Sequence, residues 1–164
     1  MKRLSIILAL MCATATHAQS LDPNKFYRLA SVGLDGQSLD IVNNNGKHEF
    51  ARIQPSGGQS GQQLRFTANG QWIKITTAFR GSKMCLDILN GGDADGAVWL
   101  APCGNFSGQN WQFQSANGGL KLFTEFRGRK MCLDVIGGGR NIGYTRLEPC
   151  ASAQRSQLWT LSPH

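Results

Sequence analysis

The sequence predicts an all-β fold built from three copies of one unit, and two observations carry this prediction. The first is a repeat: KMCLDILNGG at 83–92 returns as KMCLDVIGGG at 130–139, a step of 47 residues. The second is the local pattern, in which short apolar or alternating runs such as WIKITT and VWLA lie between Gly, Asn and Asp turns. Such runs are typical of short strands rather than helices. Repetition at a fixed period indicates a stacked array or a closed symmetric fold, and closure removes exposed strand edges.

The units lie at about 24–70, 71–117 and 118–164, with pseudo-three-fold symmetry. One step of 47 residues back from Asp87 reaches Asp40, and one step forward reaches Asp134. Each unit also closes with a related motif: GQQLRF, GQNWQF and, after a one-residue insertion, SQLWTL. The three units leave no room for a second domain or a long linker.

The first 18 residues have the pattern of a secretory signal peptide. Lys2 and Arg3 precede an apolar run that is too short to span a bilayer, and small residues follow up to Ala18. We expect cleavage there and a mature domain at 19–164, an N-terminal anchor being the alternative. No later stretch is long and apolar enough to cross a membrane. The sequence therefore predicts a secreted or periplasmic protein that is not membrane-spanning.

The repeat also predicts how the cysteines pair once Cys12 is removed with the signal peptide. The second and third units each hold one pair, Cys85 with Cys103 and Cys132 with Cys150. The first unit has Ser38 and Ser56 at the matching positions, so both cysteines are replaced together, as expected of bonded partners. We favour these two disulfides over the two other connectivities. Each closes a short loop and stabilises the domain by roughly 3 kcal/mol in the chain-entropy model.

The order of motifs within a unit resembles the ricin-type β-trefoil lectin domain family. The shared features are a C-L-D-[IV] strand, a turn, an L-x-P-C strand and a closing Q-x-W, and they cover essentially the whole chain after the signal. The resemblance implies a β-trefoil of twelve strands and three lobes, with up to three shallow sugar sites.

In the family, the C-L-D aspartate accepts hydrogen bonds from the sugar, and the Q-x-W glutamine supports that aspartate or the sugar. These roles map onto Asp40, Asp87 and Asp134, and onto Gln62, Gln109 and Gln157. The motif's tryptophan belongs mainly to the core, as Trp111 and Trp159, with Leu64 replacing it in the first unit.

The sequence departs from the family at the sugar site. The stacking aromatic of each lobe is replaced by Gln54, Ala101 or Glu148, and the usual Asn before the glutamine is replaced by Gly61, Gly108 or Ser156. Residues that can substitute for these contacts are Asn43, Asn90, Trp99, Phe106 and Tyr144, and each of them also fits a core or turn position.

The second unit has the most complete set of candidate carbohydrate-binding residues: Asp87, Asn90, Trp99, Asn105, Phe106 and Gln109. A carboxylate accepts from two hydroxyls, a carboxamide both donates and accepts, and a ring covers the apolar face of a sugar. We expect this lobe to be the main site and the third lobe, with Asp134 and Gln157, to be next. The first lobe, with Asp40 and Gln62, is expected only to close the fold. In the competing interpretation, all three aspartates are structural carboxylates at strand ends.

Other function classes find little support in the sequence. After the signal, His48 and His164 are the remaining histidines, and neither lies in a nucleophile motif. No cysteines are spaced as zinc ligands, and no metal or cofactor is expected. FRGSK and FRGRK mark one repeated turn rather than the basic stripe that nucleic-acid binding requires, despite a net charge of +7.

We therefore expect a non-enzymatic module that binds glycans of a cell surface or polysaccharide. The alternative is a trefoil with degenerate sugar sites that serves as a protein-interaction or toxin-delivery subunit.

Overall fold

The computed structural model describes residues 21–42 and 49–164, and this part of the chain is all-β. Its strands are β1 (Tyr27–Ser31), β2 (Gln37–Ile41), β3 (Ala51–Pro55), β4 (Leu64–Asn69), β5 (Trp72–Thr77), β6 (Gly81–Ile88), β7 (Val98–Pro102), β8 (Trp111–Ala116), β9 (Gly119–Thr124), β10 (Met131–Val135), β11 (Thr145–Pro149) and β12 (Trp159–Pro163). Short 3-10 turns at Ser60–Gln62, Ser107–Gln109 and Arg155–Gln157 precede β4, β8 and β12. The predicted signal peptide, Asn43 and His48 lie outside the described residues. Within them, no helix has the length and apolarity needed to cross a membrane.

Six strands form a closed ring, in the order β1, β12, β9, β8, β5, β4 and back to β1. The ring is closed by the antiparallel pairing of β1 with β4, where Tyr27 lies opposite Leu64. Every one of these strands has a neighbour on both sides, so the ring has no exposed edge that another chain could extend. The predicted closed all-β fold is confirmed.

The other six strands form three hairpins with the same register in each unit. Ser38 faces Gln54 in β2–β3, Cys85 faces Ala101 in β6–β7, and Cys132 faces Glu148 in β10–β11. Isolated bridges join the hairpins to one another, between Phe50 and Trp99, Arg52 and Tyr144, and Ala97 and Arg146. The three hairpins therefore form a triangular assembly, which we call the hairpin cap.

The closing motif of each unit supplies a large residue to the shared core. Trp111 and Trp159 are fully buried, and their indole N–H groups donate to the carbonyls of Leu86 (2.9 Å) and Leu133 (3.1 Å). Leu64, their counterpart in the first unit, is also fully buried. The tryptophans thus fill the core and tie β6 and β10 to it, which confirms their predicted core role.

The cysteines pair as the repeat predicts. The bonds Cys85–Cys103 and Cys132–Cys150 each join the ends of one hairpin across 18 residues, with Cα–Cα distances of 4.9 and 5.0 Å. In the first hairpin, the Ser38 and Ser56 hydroxyls lie 2.6 Å apart and share a hydrogen bond. The first unit therefore keeps the geometry of the pair and replaces a covalent bond with a hydrogen bond.

This geometry predicts that Ser38→Cys combined with Ser56→Cys forms a third disulfide. The loop closed would equal the two natural loops, so the free energy of unfolding should rise by roughly 2–4 kcal/mol, provided that the bond forms without strain. Denaturant unfolding with and without reductant measures the gain, and Ser56→Cys alone is the control. A double variant that keeps two free thiols and unfolds like the unsubstituted protein would contradict the expected geometry.

Candidate functional site

A buried glutamine fixes the aspartate of each lobe, and the second lobe shows the arrangement well. Gln109 is fully buried in the 3-10 turn before β8. Its Nε2 donates to Asp87 Oδ2 and to the Pro102 carbonyl, and its Oε1 accepts from the Gly104 N–H, each at 2.9 Å. Both amide donors are used inside the protein, so Gln109 positions Asp87 and is not exposed to a ligand.

The other two lobes repeat this arrangement. In the third lobe, Gln157 donates to Asp134 Oδ2 (3.0 Å) and to the Pro149 carbonyl (2.9 Å). In the first lobe, Gln62 donates to Asp40 Oδ2 at 3.4 Å and to the Pro55 carbonyl at 2.9 Å. Of the two roles that the resemblance implies for the glutamine, the geometry is that of support for the aspartate.

The three aspartates share their bonds but differ in exposure. Asp87 Oδ1 accepts from the Ile88 N–H and Asp134 Oδ1 from the Val135 N–H, both at 2.7 Å. Asp40 and Asp134 are nearly buried, at 6% and 7% exposed, whereas Asp87 is partly exposed. Burial raises the pKa of Asp40, against the lowering effect of its hydrogen bonds to Gln62 and Ile41 and of the Arg52 charge. Asp87 is therefore the carboxylate most accessible to a solvent-borne ligand.

The glycine that stands in place of the family's Asn makes room for this carboxylate. A Cβ on Gly108 would collide with Asp87 Oδ1, and a Cβ on Gly61 would collide with Asp40 Oδ1. In the third lobe, Ser156 occupies the corresponding position. The departure from the family motif thus lets the 3-10 turn pack directly against the aspartate in the first two lobes.

A depression of about 340 Å³ opens over Asp87 on the second lobe. Its wall includes Asp87, Asn90, Asn105, Phe106 and Phe126. Phe106 is 59% exposed and Phe126 is 36% exposed. Gly104 lets the Phe106 ring lie against the backbone, because a Cβ at that glycine would meet the ring. The structure therefore brings four of the predicted residues of this lobe together around an accessible carboxylate: Asp87, Asn90, Asn105 and Phe106.

Trp99 does not line this depression, in contrast to its place in the predicted set. It lies opposite Asp87 on β7 and forms the bridge to Phe50 within the hairpin cap. That bridge places Trp99 beside the first unit, whereas loop residues such as Asn90 and Asn105 form much of the depression's wall.

Phe126 is the residue that the sequence prediction missed. It belongs to the third unit, but its N–H donates to the Ser107 carbonyl at 3.3 Å, which places it beside the second lobe's 3-10 turn. Phe79 of the second unit makes the equivalent bond to the Ser60 carbonyl at 3.2 Å. The available signal was the repeated F-R-G segment, since each such segment starts one unit and contacts the lobe of the unit before it.

A lysine supports the floor of the second lobe. Lys74 Nζ donates to the Gly104 carbonyl at 2.9 Å. Burial lowers the pKa of Lys74, and the nearby carboxylates of Asp87 and Glu125 oppose that shift. Lys121, one unit later, donates to the Ala151 carbonyl at 2.6 Å, so this contact belongs to the scaffold.

The third lobe has a different lining at the equivalent place. Gly137 stands where the second lobe has Asn90, and Gln154 and Ser156 lie on the 3-10 turn side. The groove is larger, about 690 Å³, and its apolar residues include the exposed Leu34 and Ile142. In the first lobe, Gly58 and Gln59 occupy the positions of Asn105 and Phe106. Among the described residues, the combination of carboxylate, carboxamides and exposed rings therefore occurs in the second lobe.

Residues 21–42 and 49–164 contain no group of three or more His, Cys, Asp or Glu side chains arranged to hold a metal ion.

Comparisons with known proteins agree with the repeat and the fold. The model of the ricin-type beta-trefoil lectin domain matches residues 71–164. No curated protein sequence matches the chain. The chain is similar to the solved structure of a mosquitocidal holotoxin, with a TM-score of 0.74 at 15% identity over 88% of this chain, and it spans 18% of that protein's length.

Two solved structures are similar over nearly their whole length. ThreeFoil, a designed three-fold symmetric protein, has a TM-score of 0.69 at 22% identity, over 83% of this chain and 96% of that one. A ricin B-like lectin of Macrolepiota procera, solved with lactose, has a TM-score of 0.66 at 20% identity, over 87% of this chain and 98% of that one. These likenesses show the β-trefoil fold, and the family model covers more than half of the sequence. The chain belongs to the ricin-type β-trefoil lectin domain family.

Proposed function

We propose that this protein is an exported, non-enzymatic carbohydrate-binding module whose main site is the depression over Asp87. One observation carries the proposal. The accessible Asp87 carboxylate, held in position by hydrogen bonds, shares a depression with two exposed carboxamides and two exposed phenyl rings. The family and the lactose-bound structural relative support a sugar as the class of ligand.

The residue types match the chemistry of a sugar ring. Each Asp87 oxygen accepts one hydrogen bond from the protein, so each keeps capacity to accept from a sugar hydroxyl. The exposed Asn90 and Asn105 carboxamides can donate as well as accept. Phe106 and Phe126 offer rings to the apolar C–H face, the role that the family assigns to an aromatic at another position.

The remaining lobes are weaker candidates. Asp134 and Asp40 are nearly buried, and the third-lobe groove replaces a carboxamide with Gly137 and adds apolar residues. A single shallow site binds weakly, so useful affinity would require several copies of the site on one surface or several linked modules.

Export and the absence of catalysis belong to the same proposal. Two disulfides suit an oxidising compartment, which agrees with the signal peptide pattern of the first 18 residues. Glycoside hydrolysis ordinarily uses two carboxyl groups that flank the scissile bond. The wall of the second-lobe depression contains one carboxylate, Asp87.

A second candidate function is a protein-interaction or toxin-delivery subunit. The observation that favours it is the third-lobe groove with the exposed Leu34 and Ile142, together with the holotoxin among the structural relatives. A stable protein partner that co-purifies with the exported chain, combined with silence on a broad glycan array, would favour this function over sugar binding.

We predict that Asp87→Ala abolishes glycan-array binding by the exported protein. The matched control is Asp134→Ala, because Asp134 makes the same two hydrogen bonds to the protein. Both substitutions leave a backbone N–H and a glutamine donor without their partner. Each should therefore reduce the free energy of unfolding by about 1–3 kcal/mol.

Binding should be lost in Asp87→Ala and retained in Asp134→Ala at a temperature where both are folded. Retained binding in Asp87→Ala with loss in Asp134→Ala would move the main site to the third lobe. No binding by the unsubstituted, disulfide-intact protein on a broad array would count against the proposed function itself.

Another prediction concerns the rings. Phe106→Ala and Phe126→Ala should each weaken the affinity for a sugar identified on the glycan array by about 3–10-fold. The reason is that ring contacts contribute roughly 0.5–1.5 kcal/mol. Titration of the purified variants by NMR measures the change. Phe79→Ala is the control, because Phe79 holds the equivalent position beside the first lobe. Equal weakening by Phe79→Ala and Phe126→Ala would show that the effect is on folding rather than on the ligand contact.

A further inference from the structure

The hairpin cap contains a second cavity, away from the depression over Asp87. The bridges between the three hairpins place one repeat position, occupied by Phe50, Ala97 and Tyr144, around the pseudo-three-fold axis. Two of these residues are aromatic and the third is alanine. The small side chain of Ala97 leaves open the space that a third ring would fill.

The open space is a cavity of about 320 Å³. This volume is at the lower end of the range for small-ligand sites, roughly 300–1,000 Å³, and suits one small ring rather than an extended chain. Its lining combines apolar and polar residues: Phe50, Ala97, Ile136 and Tyr144 on one hand, Asp93, Asp95, Asn141 and Arg146 on the other.

The aromatic part of the lining is fixed in an edge-to-face pair. The Phe50 and Tyr144 rings lie 6.0 Å apart at an interplanar angle of 83°. In this arrangement the two rings do not present parallel faces to a guest. The pair thus resembles the single aromatic platform used for the C–H face of a sugar more than a cage of several ring faces, which is what quaternary ammonium ligands require.

The polar part of the lining offers two carboxylates, one carboxamide and the Arg146 guanidinium. Asp95 is held in place, because its Oδ1 accepts from the Gly91 N–H at 2.7 Å and pairs with the Arg127 guanidinium. These contacts keep the pKa of Asp95 below its ordinary value, the bond to the Gly91 N–H being the largest cause. Asp93 and Asn141 are exposed at the rim and lie beside this fixed carboxylate.

We propose that the cavity at Ala97 is a second carbohydrate site, which binds one neutral sugar ring on the three-fold axis of the hairpin cap. An aromatic platform, carboxylate acceptors and a carboxamide are the groups that sugar hydroxyls and C–H faces require. The inference rests on the proposed function for its ligand class, but it uses none of the residues that line the depression over Asp87. The two sites would let one chain contact a branched or multivalent glycan through two faces.

The experiment is an amide NMR titration of the exported protein with methyl β-galactoside, methyl α-mannoside and N-acetylglucosamine, each added separately. Choline chloride is a fourth probe and tests for an ammonium site. The amides of Ala97, Asn141 and Tyr144 report on the cap, whereas those of Ile88, Asn105 and Ser107 report on the second lobe. The proposal predicts that at least one of the three sugars shifts the cap amides in a saturable way.

Two variants test the cavity. Ala97→Phe supplies the missing third ring and fills the space, and it should weaken binding at the cap at least tenfold. Asp93→Ala removes an exposed acceptor and should weaken the same binding, and it serves if Ala97→Phe fails to fold. In both variants, the sugar concentration at the midpoint of the second-lobe titration should stay within about twofold of its value in the unsubstituted protein. A twofold change corresponds to less than about 0.5 kcal/mol.

The outcomes separate the two proposals. Saturable cap shifts that disappear in the variants support the cap site, whether or not the second lobe responds. Cap amides that stay silent with every sugar overturn it, and shifts at Ile88 and Asn105 in the same titration would leave the proposed function intact. Cap shifts with choline but with no sugar would also overturn it, in favour of a cation site.

Discussion

The hydrogen bonds of the buried glutamine are the constraint on which both the fold and the candidate site depend. In each lobe this side chain joins the 3-10 turn to a strand-end carbonyl, to a loop N–H and to an aspartate, as Gln109 does with Pro102, Gly104 and Asp87. Loss of the side chain would leave several buried groups unpaired, at about 1–3 kcal/mol for each. The same bonds hold the carboxylate in one orientation before any ligand arrives, which reduces the ordering that binding requires. The fold and the candidate site thus depend on the same residue pair.

The three lobes show how one scaffold separates these roles. In all three lobes, the interior contains the aspartate bonded to the buried glutamine and the buried Trp or Leu that closes the unit. It also contains the pair of cysteines or serines that joins the ends of the hairpin. The differences between the lobes lie in the loops beyond the strand ends, where Asn105 and Phe106 of the second lobe correspond to Gly58 and Gln59 of the first. Loops tolerate such changes because few core contacts depend on them. An aspartate at the same position is therefore a potential ligand contact in the second lobe and mainly a structural group in the other two.

Much of this architecture could be predicted from the sequence, because its cause is periodic. The 47-residue step predicted the three-fold arrangement, and the joint replacement of two cysteines by Ser38 and Ser56 predicted the disulfide pairing that the structure contains. The closed ring was one of the two arrangements that the repeat allowed, and the core position of the tryptophans was implied by the family resemblance. The place of Phe126 beside the second lobe was not predicted, because a repeat describes positions within one unit. The wall of the second lobe is completed by Phe126, near the start of the third unit, and the repeated F-R-G segment was the one sequence signal for this contact.

Both proposed sites lie where the three units depart from symmetry. A trefoil with identical units would place the same side chain three times around its axis, and the axis would be filled or open according to the size of that one residue. Here Ala97 of the second unit shares that position with Phe50 and Tyr144, and all three line the cavity of the cap. Arg127 connects the two places, since its guanidinium lies 4.6 Å from the Phe126 ring centroid and pairs with Asp95 at the rim of the cap. The arginine that contacts both places comes from the third unit, whose own Asp134 lines neither of them.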